Sequence, residues 1–373
     1  MNLSRFIATV LLILAFSYVS LAQYSAGTVT EFPVAYPGLS TARSHHGSIG
    51  PMGSTHEITF NEKGGKDIWI TGQNYDYVVK VPLDGGKMTF FPMPKGSGPH
   101  GIEFDGEGKL WVTLEFLGKV VRLDDAGNIV QSYDVNINCP TCSETLITHP
   151  HGMGFAPDGK TIWYTGKSTG TIGRIDQYQR VTTFPLKTAG SVPIYIRAGP
   201  DGNMWVTELV GNAIARVTQD GMVTEFPIPT HNSRPIAIVP DPDGRGMWFT
   251  EEAGNNVAFI DKDGKITEFA VPKKQANVIL AGLAFDREKN LWVQQYVDHF
   301  NPLPKGTDYI VKIDKSILKA APADMAKVPV TFYPVQTPDS VFHRIIQGPD
   351  GNMWFTEMNA NKVGKLLTVL MKP

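Results

Sequence analysis

Four histidines in this chain share one sequence setting. His56 in THEITF, His100 in PHGIEF, His151 in PHGMGF and His343 in FHRIIQ each stand at the start of a short apolar run. A second set lies three residues beyond a tryptophan. Glu208, Glu251 and Glu357 close NMWVTE, GMWFTE and NMWFTE, and Gln295 closes NLWVQQ. Several imidazoles beside carboxylates suit two kinds of chemistry: proton transfer near neutral pH, and binding of a divalent ion. Either requires a fold that brings distant stretches of chain to one place.

The tryptophans identify that fold. All seven (Trp69, Trp111, Trp163, Trp205, Trp248, Trp292 and Trp354) occupy an equivalent place, with successive gaps of 42, 52, 42, 43, 44 and 62 residues. Each unit runs in the same order: an apolar run, a Gly/Asp turn, the Trp run, a Gly/Asn turn, a third apolar run, an Asp-Gly turn and a phrase such as VTEFPIP. Four short β-rich runs joined by turn dipeptides form an antiparallel meander. Such a meander, repeated every 40–45 residues or so, is a β-propeller blade. The expectation is all-β: a seven-bladed β-propeller of four-stranded antiparallel blades. GTVTEFPV at 27–34 is an outermost-strand phrase with no blade before it, and the last unit lacks one. The N-terminal strand therefore completes the last blade and closes the ring, removing an exposed sheet edge. The tryptophans fill space between blades, and the Asp-Gly and Gly-Asn pairs are turn chemistry.

In such a ring the start of strand one and the end of strand two surround one mouth of the central channel. At the first position the blades carry His56, His100, His151, Ile194, Ile236, Ala281 and His343. At the second they carry Gly72, Leu114, Gly166, Glu208, Glu251, Gln295 and Glu357. The histidines thus come from contiguous blades 7, 1, 2 and 3. Only blade 7 has both a histidine and an acid. The expectation is that the glutamates line the mouth with the histidines, and that Arg344, one residue beyond His343, points away by strand alternation. Two insertions, around NINCPTCSETLITHP and at 296–308, belong on this face with His45 and His46, and would wall a ligand pocket. A third, at 316–330, belongs on the opposite face.

Bulk properties narrow the partners. A net charge of −2 without a basic stripe excludes a nucleic-acid binder. Residues 1–22, with Arg5, an apolar core and Ser20-Leu21-Ala22, have the form of a signal peptide. The apolar core is shorter than the ~20 residues of a membrane span. The mature chain, 23–373, is expected to be one secreted propeller domain, monomeric and without stable membrane association. Cys139 and Cys142 in NCPTCSE form a small disulfide loop in an oxidising compartment. The sharper alternative adds His149 and His151 to make a zinc site.

GPHGIEFD, NMWFTEMNANKVGKL and DGMVTEFPIPT resemble the streptogramin B lyases, also called virginiamycin B lyases, and the likeness covers nearly all of the mature chain. Those enzymes open a cyclic depsipeptide by elimination with magnesium. The resemblance implies His343 as the catalytic base and Glu357 as a metal ligand. It also shows two departures: Val341 stands where the family has a second glutamate, and Ala281 where it has a histidine.

Three classes of function follow. The first is base-assisted elimination that breaks a C–O bond in a lactone, ester or cyclic depsipeptide. There His343 takes a proton α to the carbonyl, and Glu357, with Glu208 or Glu251, holds a cation, Mg or Ca. His56, His100, His151 and Gln295 would then contact the small-molecule or cyclic peptide ligand. The second is a metal-dependent lactonase in which the three glutamates hold calcium. The third is a non-catalytic ligand-binding propeller, whose rim histidines and aromatics hold a ligand or partner.

Overall fold

The computed structural model describes residues 25–38, 53–138 and 144–368. The leader at 1–22, His45 and His46, and both cysteines of the expected disulfide, Cys139 and Cys142, lie outside the described residues.

Seven four-stranded antiparallel sheets follow one another along the chain. Blade 1 is typical, with strands Thr55–Phe60, Asp67–Gly72, Tyr77–Pro82 and Thr89–Pro92 paired in that order. Strand one of the other blades is Pro99–Phe104, Pro150–Phe155, Pro193–Ala198, Pro235–Pro240, Val278–Phe285 and Phe342–Gln347. Blade 7 takes its fourth strand from the N-terminal end: Val29–Pro33 pairs antiparallel with Lys362–Leu366, Val29 opposite Leu366. The ring closes as the repeat requires.

The tryptophans serve two contacts each. One face packs toward the next blade, as Trp354 does among Ile58, Ile68 and Val81 of blade 1. The ring also stacks on the outer-strand aromatic of its own blade, for example Trp163 on Phe184 at 5.7 Å and Trp205 on Phe226 at 5.8 Å. In five blades the indole N–H donates to the Asp of the preceding turn: Trp111 to Asp105, Trp205 to Asp201, Trp248 to Asp241, Trp292 to Asp286 and Trp354 to Asp350. The Asp-Gly turn and the Trp run are therefore one unit.

A second repeated device positions the channel. In every blade strand one carries a bulge, so that two of its residues stand opposite one of strand two. The two are His56-Glu57, His100-Gly101, His151-Gly152, Ile194-Tyr195, Ile236-Ala237, Ala281-Gly282 and His343-Arg344. The residue opposite is the Thr of the Trp-x-Thr phrase, or Gln294 in blade 6. That side chain accepts the N–H of the second bulge residue and donates to a strand-one carbonyl of the next blade. Thr71 accepts from Glu57 and donates to His100 O at 2.9 Å, and Thr207 accepts from Tyr195 and donates to Ile236 O at 3.0 Å. Thr356 accepts from Arg344 and donates to His56 O at 2.7 Å, which carries the ring across the closure. A bulge re-aims its side chains, and the threonine ring fixes that aim.

The insertions attach to blade 6 and before blade 3. Residues 298–308 connect strands two and three of blade 6, Leu291–Val297 and Tyr309–Ile313. The segment 316–330 forms short 3-10 turns at Lys315–Lys319 and Pro322–Lys327, and buries Ile317, Leu318, Met325 and Val328. Ile137–Asn138 pairs with Thr145–Leu146 as a small hairpin before blade 3. Among the described residues no helix is long and apolar enough to cross a membrane.

Candidate functional site

The four histidines meet at the channel axis. The His56 ring lies 5.3 Å from His100 and 5.1 Å from His343, His100 lies 5.4 Å from His343, and the His100 and His151 rings lie 3.6 Å apart, tilted by 36°. His56, His100 and His151 are buried, and His343 is the least covered of the four. Burial and the neighbouring imidazole of His343 push His56 down to about 3. Burial likewise holds His100, His151 and His343 well below the usual histidine range, with Arg344 adding to the effect on His343. All four are neutral imidazoles at pH 7. Backbone carbonyls orient two of them: His56 Nδ1 lies 2.7 Å from Ser54 O and His151 Nδ1 lies 3.1 Å from Ile194 O.

The carboxylate at His343 is Glu57, which sequence reasoning missed. Its Oε1 is 3.2 Å from His343 Nε2 and 3.9 Å from His100 Nδ1. Arg344 Nε donates to Glu57 at 3.0 Å. The expectation that Arg344 points away from the channel is thereby overturned. Alternation assumes a regular strand, and the bulge turns both of its residues inward. The sequence held a signal. Gly101, Gly152, Ala237 and Gly282 mark the second bulge position as crowded, so a Cβ on Gly152 would come within 2.3 Å of Ile194 O. Against that background the large residues Glu57, Tyr195 and Arg344 stand out.

Around this centre are two further polar groups. Glu115 accepts from Lys167 at 3.1 Å and lies 3.7 Å from His149, with Gln73 also donating to it. Burial pushes its carboxyl up, but His149 and Lys167 outweigh burial and hold it below the usual carboxylate range. Deeper in the channel the Arg344 and Arg197 guanidiniums pack on the Tyr195 ring at 4.1 and 4.3 Å, and Arg197 pairs with Glu103. These side chains fill the channel below the histidines. Beyond them, at the end of strand one, a cavity of about 530 Å³ is lined by Thr59, Glu103, Phe104, Arg197, Pro240 and Ile346. It opens at the end away from the histidines.

Glu208, Glu251 and Glu357 do not join the histidine cluster. Each is fully buried within its own blade and turned toward the outer strand. Glu357 faces Glu31 and Ser340, Glu208 faces Glu225 and Ser191, and Glu251 faces Glu268 and accepts from Asn256 at 3.0 Å. The outer glutamates occur only in the blades that have the inner one. At the same register the other four blades carry Phe90, Ser132, Thr183 and Phe332. Each outer glutamate also accepts a backbone N–H of the linker into its blade: Thr337 to Glu31, Thr188 to Glu225 and Thr230 to Glu268. Burial, then the outer carboxylate, raises Glu357 to about 9, and burial with the same kind of neighbour raises Glu208 and Glu251 to about 8. At neutral pH they are protonated acids buried against the outer carboxylates that hold the linkers, so the phrase ending in Trp-x-Thr-Glu ends on a structural residue. Gln295, at this position in blade 6, likewise turns to Asn255 Oδ1 and Pro272 O, at 3.1 and 3.2 Å.

This decides what the site could hold. A magnesium or calcium ion needs several oxygens around one point, and Glu208, Glu251 and Glu357, each turned to the outer strand of a different blade, do not converge on one. The donor groups that do converge among the described residues are Glu57, His100 and His343, and His100, Glu115 and His151.

A closed seven-bladed propeller with histidines from four contiguous blades at its axis is the class that fold and site define. The virginiamycin B lyase family matches residues 40–302, and the chain belongs to that family. It is similar to virginiamycin B lyase from Staphylococcus aureus, at 26% identity over 92% of this chain and 99% of that one, with a TM-score of 0.71. A catalytically inactive form of the staphylococcal enzyme with quinupristin gives the same values. A streptogramin B lyase structure matches with the same TM-score at 23% identity, over 91% of this chain and 96% of that one, and shows the shared fold. No curated protein matches the chain.

Proposed function

We propose that the chain is a secreted lyase-like enzyme that breaks a C–O bond in a lactone, ester or cyclic depsipeptide, with His343 as proton acceptor. The observation that carries this reading is the 3.2 Å approach of Glu57 Oε1 to His343 Nε2, with Arg344 holding Glu57. A carboxylate at one ring nitrogen fixes the tautomer that carries its proton there. The lone pair is then on Nδ1. His343 is neutral near pH 7 and so is in the accepting form without a deprotonation step.

In the reaction, Nδ1 removes a proton α to a carbonyl. The electron pair moves into a C=C bond, and the C–O bond at the β carbon breaks to release a carboxylate. Negative charge develops on the carbonyl oxygen and needs a donor. Arg344 Nη2, buried without a hydrogen-bond partner, is the donor we assign to it. Glu57 acts through His343 and is a positioning residue. Family membership and the likeness to a lyase that binds quinupristin support a cyclic depsipeptide or related ester as ligand.

The test is a panel of lactones and cyclic depsipeptides offered to the wild type and to His343→Ala. The expected result is an unsaturated product and no oxygen-18 uptake from labelled water, with turnover lost in the variant while the thermal transition stays put. Labelled oxygen in the product would mean hydrolysis. Ligand binding without any turnover across the panel would mean a binding propeller.

A further inference from the structure

We propose that Glu57, His100 and His343 form a binding site for a divalent transition ion of the zinc class at the channel axis. Three potential ligand atoms converge there: Glu57 Oε1, His100 Nδ1 and, once it gives up its proton, His343 Nε2 all lie within 4.8 Å of one another. Each is buried, and none makes a hydrogen bond of regular geometry, Glu57 Oε1 having, outside the three, only the ion-pair contact with Arg344 Nε at 3.0 Å. Buried polar atoms are almost always paired, so two unpartnered imidazole nitrogens and an incompletely satisfied carboxylate oxygen facing one point call for a common partner. One proton satisfies a single contact, between Glu57 and His343, and leaves His100 Nδ1 bare. A metal ion satisfies all three.

The spacing fits. Zinc holds nitrogen and oxygen ligands at about 2.0–2.2 Å in a tetrahedron, which sets ligand atoms about 3.3 Å apart. Glu57 Oε1 already lies 3.2 Å from His343 Nε2 and 3.9 Å from His100 Nδ1. A contraction of about half an ångström at His100 completes that pair of edges. Two imidazoles and one carboxylate select zinc, cobalt or nickel over magnesium and calcium, which want oxygen.

The surroundings hold the ligands in place. His100 and His343 sit in bulges locked by the threonine ring, and Arg344 orients the carboxylate. The same Arg344 opposes a dication, and the Glu57 charge offsets it. Micromolar affinity is therefore expected, rather than the tighter binding of an all-acidic or thiolate site. The binding does not rest on the elimination reading. Its consequence does: an ion on Nε2 moves the imidazole proton to Nδ1 and removes the lone pair offered to substrate. Zinc would then suppress turnover.

The experiment uses the full chain, freed of metal by chelator and carrying no histidine tag. Zn²⁺ is titrated by calorimetry and Co²⁺ by its visible absorption, with no substrate present, so a failed lyase assay has no bearing on the result. The expected outcome is one ion per chain, with binding weakened about tenfold or more in His100→Ala and in Glu57→Gln. Mg²⁺ or Ca²⁺ in large excess should not compete. Because Glu57→Gln unpairs Arg344, circular dichroism checks each variant, and His100→Ala, which keeps the Glu57–Arg344 pair, decides alone where Glu57→Gln does not fold. No saturable binding would overturn the proposal. So would unchanged binding in folded His100→Ala, which would place the ion elsewhere, for instance on His231 or His299.

Discussion

Glu357→Gln separates two accounts of the same residue. The family resemblance gives Glu357 a metal ion; the geometry gives it a proton. Its carboxyl is fully buried against Glu31 and is raised from 4.5 to about 9. In the unfolded chain the group ionises near 4.5, whereas in the folded protein it keeps its proton almost to pH 9. A folded pKa above the unfolded one means that stability is fully present below about 4.5 and drains away as pH rises toward 9. Each pH unit in that window is worth about 1.4 kcal/mol. From 4.5 to pH 8 the ceiling is about 5 kcal/mol, and relaxation and water entry reduce it to ~2 kcal/mol. Glutamine cannot ionise, yet its amide can donate to Glu31 much as Gln295 donates to Asn255 in blade 6. The variant should match the wild type near pH 5 and exceed it by ~2 kcal/mol at pH 8, a gain of roughly 2–3 °C in Tm. The assay is thermal unfolding of both proteins at half-unit steps from pH 5 to 9, at one scan rate. Parallel curves, or a variant weaker at pH 8, would refute the carboxyl-pair account.

Two further outcomes test the framework of the channel. Arg344→Met should cost about 3–5 kcal/mol in denaturant unfolding, because it strands Glu57 as a buried, unpaired charge; a loss under 1 kcal/mol would mean that Glu57 is reached by water. Thr207→Val keeps the shape but removes the bond from Tyr195 N–H and the bond to Ile236 O. It should cost about 1–3 kcal/mol, and no change would show that the inter-blade ring does not contribute to stability.

Much of the architecture was legible in the chain. Seven equally placed tryptophans, the turn pairs between short β-rich runs and a spare VTEF phrase at the front specified seven blades and their closure. The contiguous histidines were legible too, because register within a repeat places equivalent residues at equivalent points of a ring. The glutamates misled for a physical reason. Register says where a residue's Cα lies along a strand, and Glu208, Glu251 and Glu357 do lie at the end of strand two. It does not say that their side chains turn toward the outer strand, although the co-occurrence of VTEF or ITEF in those same blades was a visible hint.

By itself the sequence determined the period, the number of sheets, the way the ring closes and which four blades bring histidine to the axis. These follow from local patterning repeated often enough to exclude other folds. Only the tertiary structure decided which carboxylate meets the histidines. That choice depends on a one-residue bulge, which reverses the direction of Glu57 and Arg344 without changing a letter of the pattern and so pairs the two, whereas burial beside a second carboxylate keeps the other three glutamates protonated.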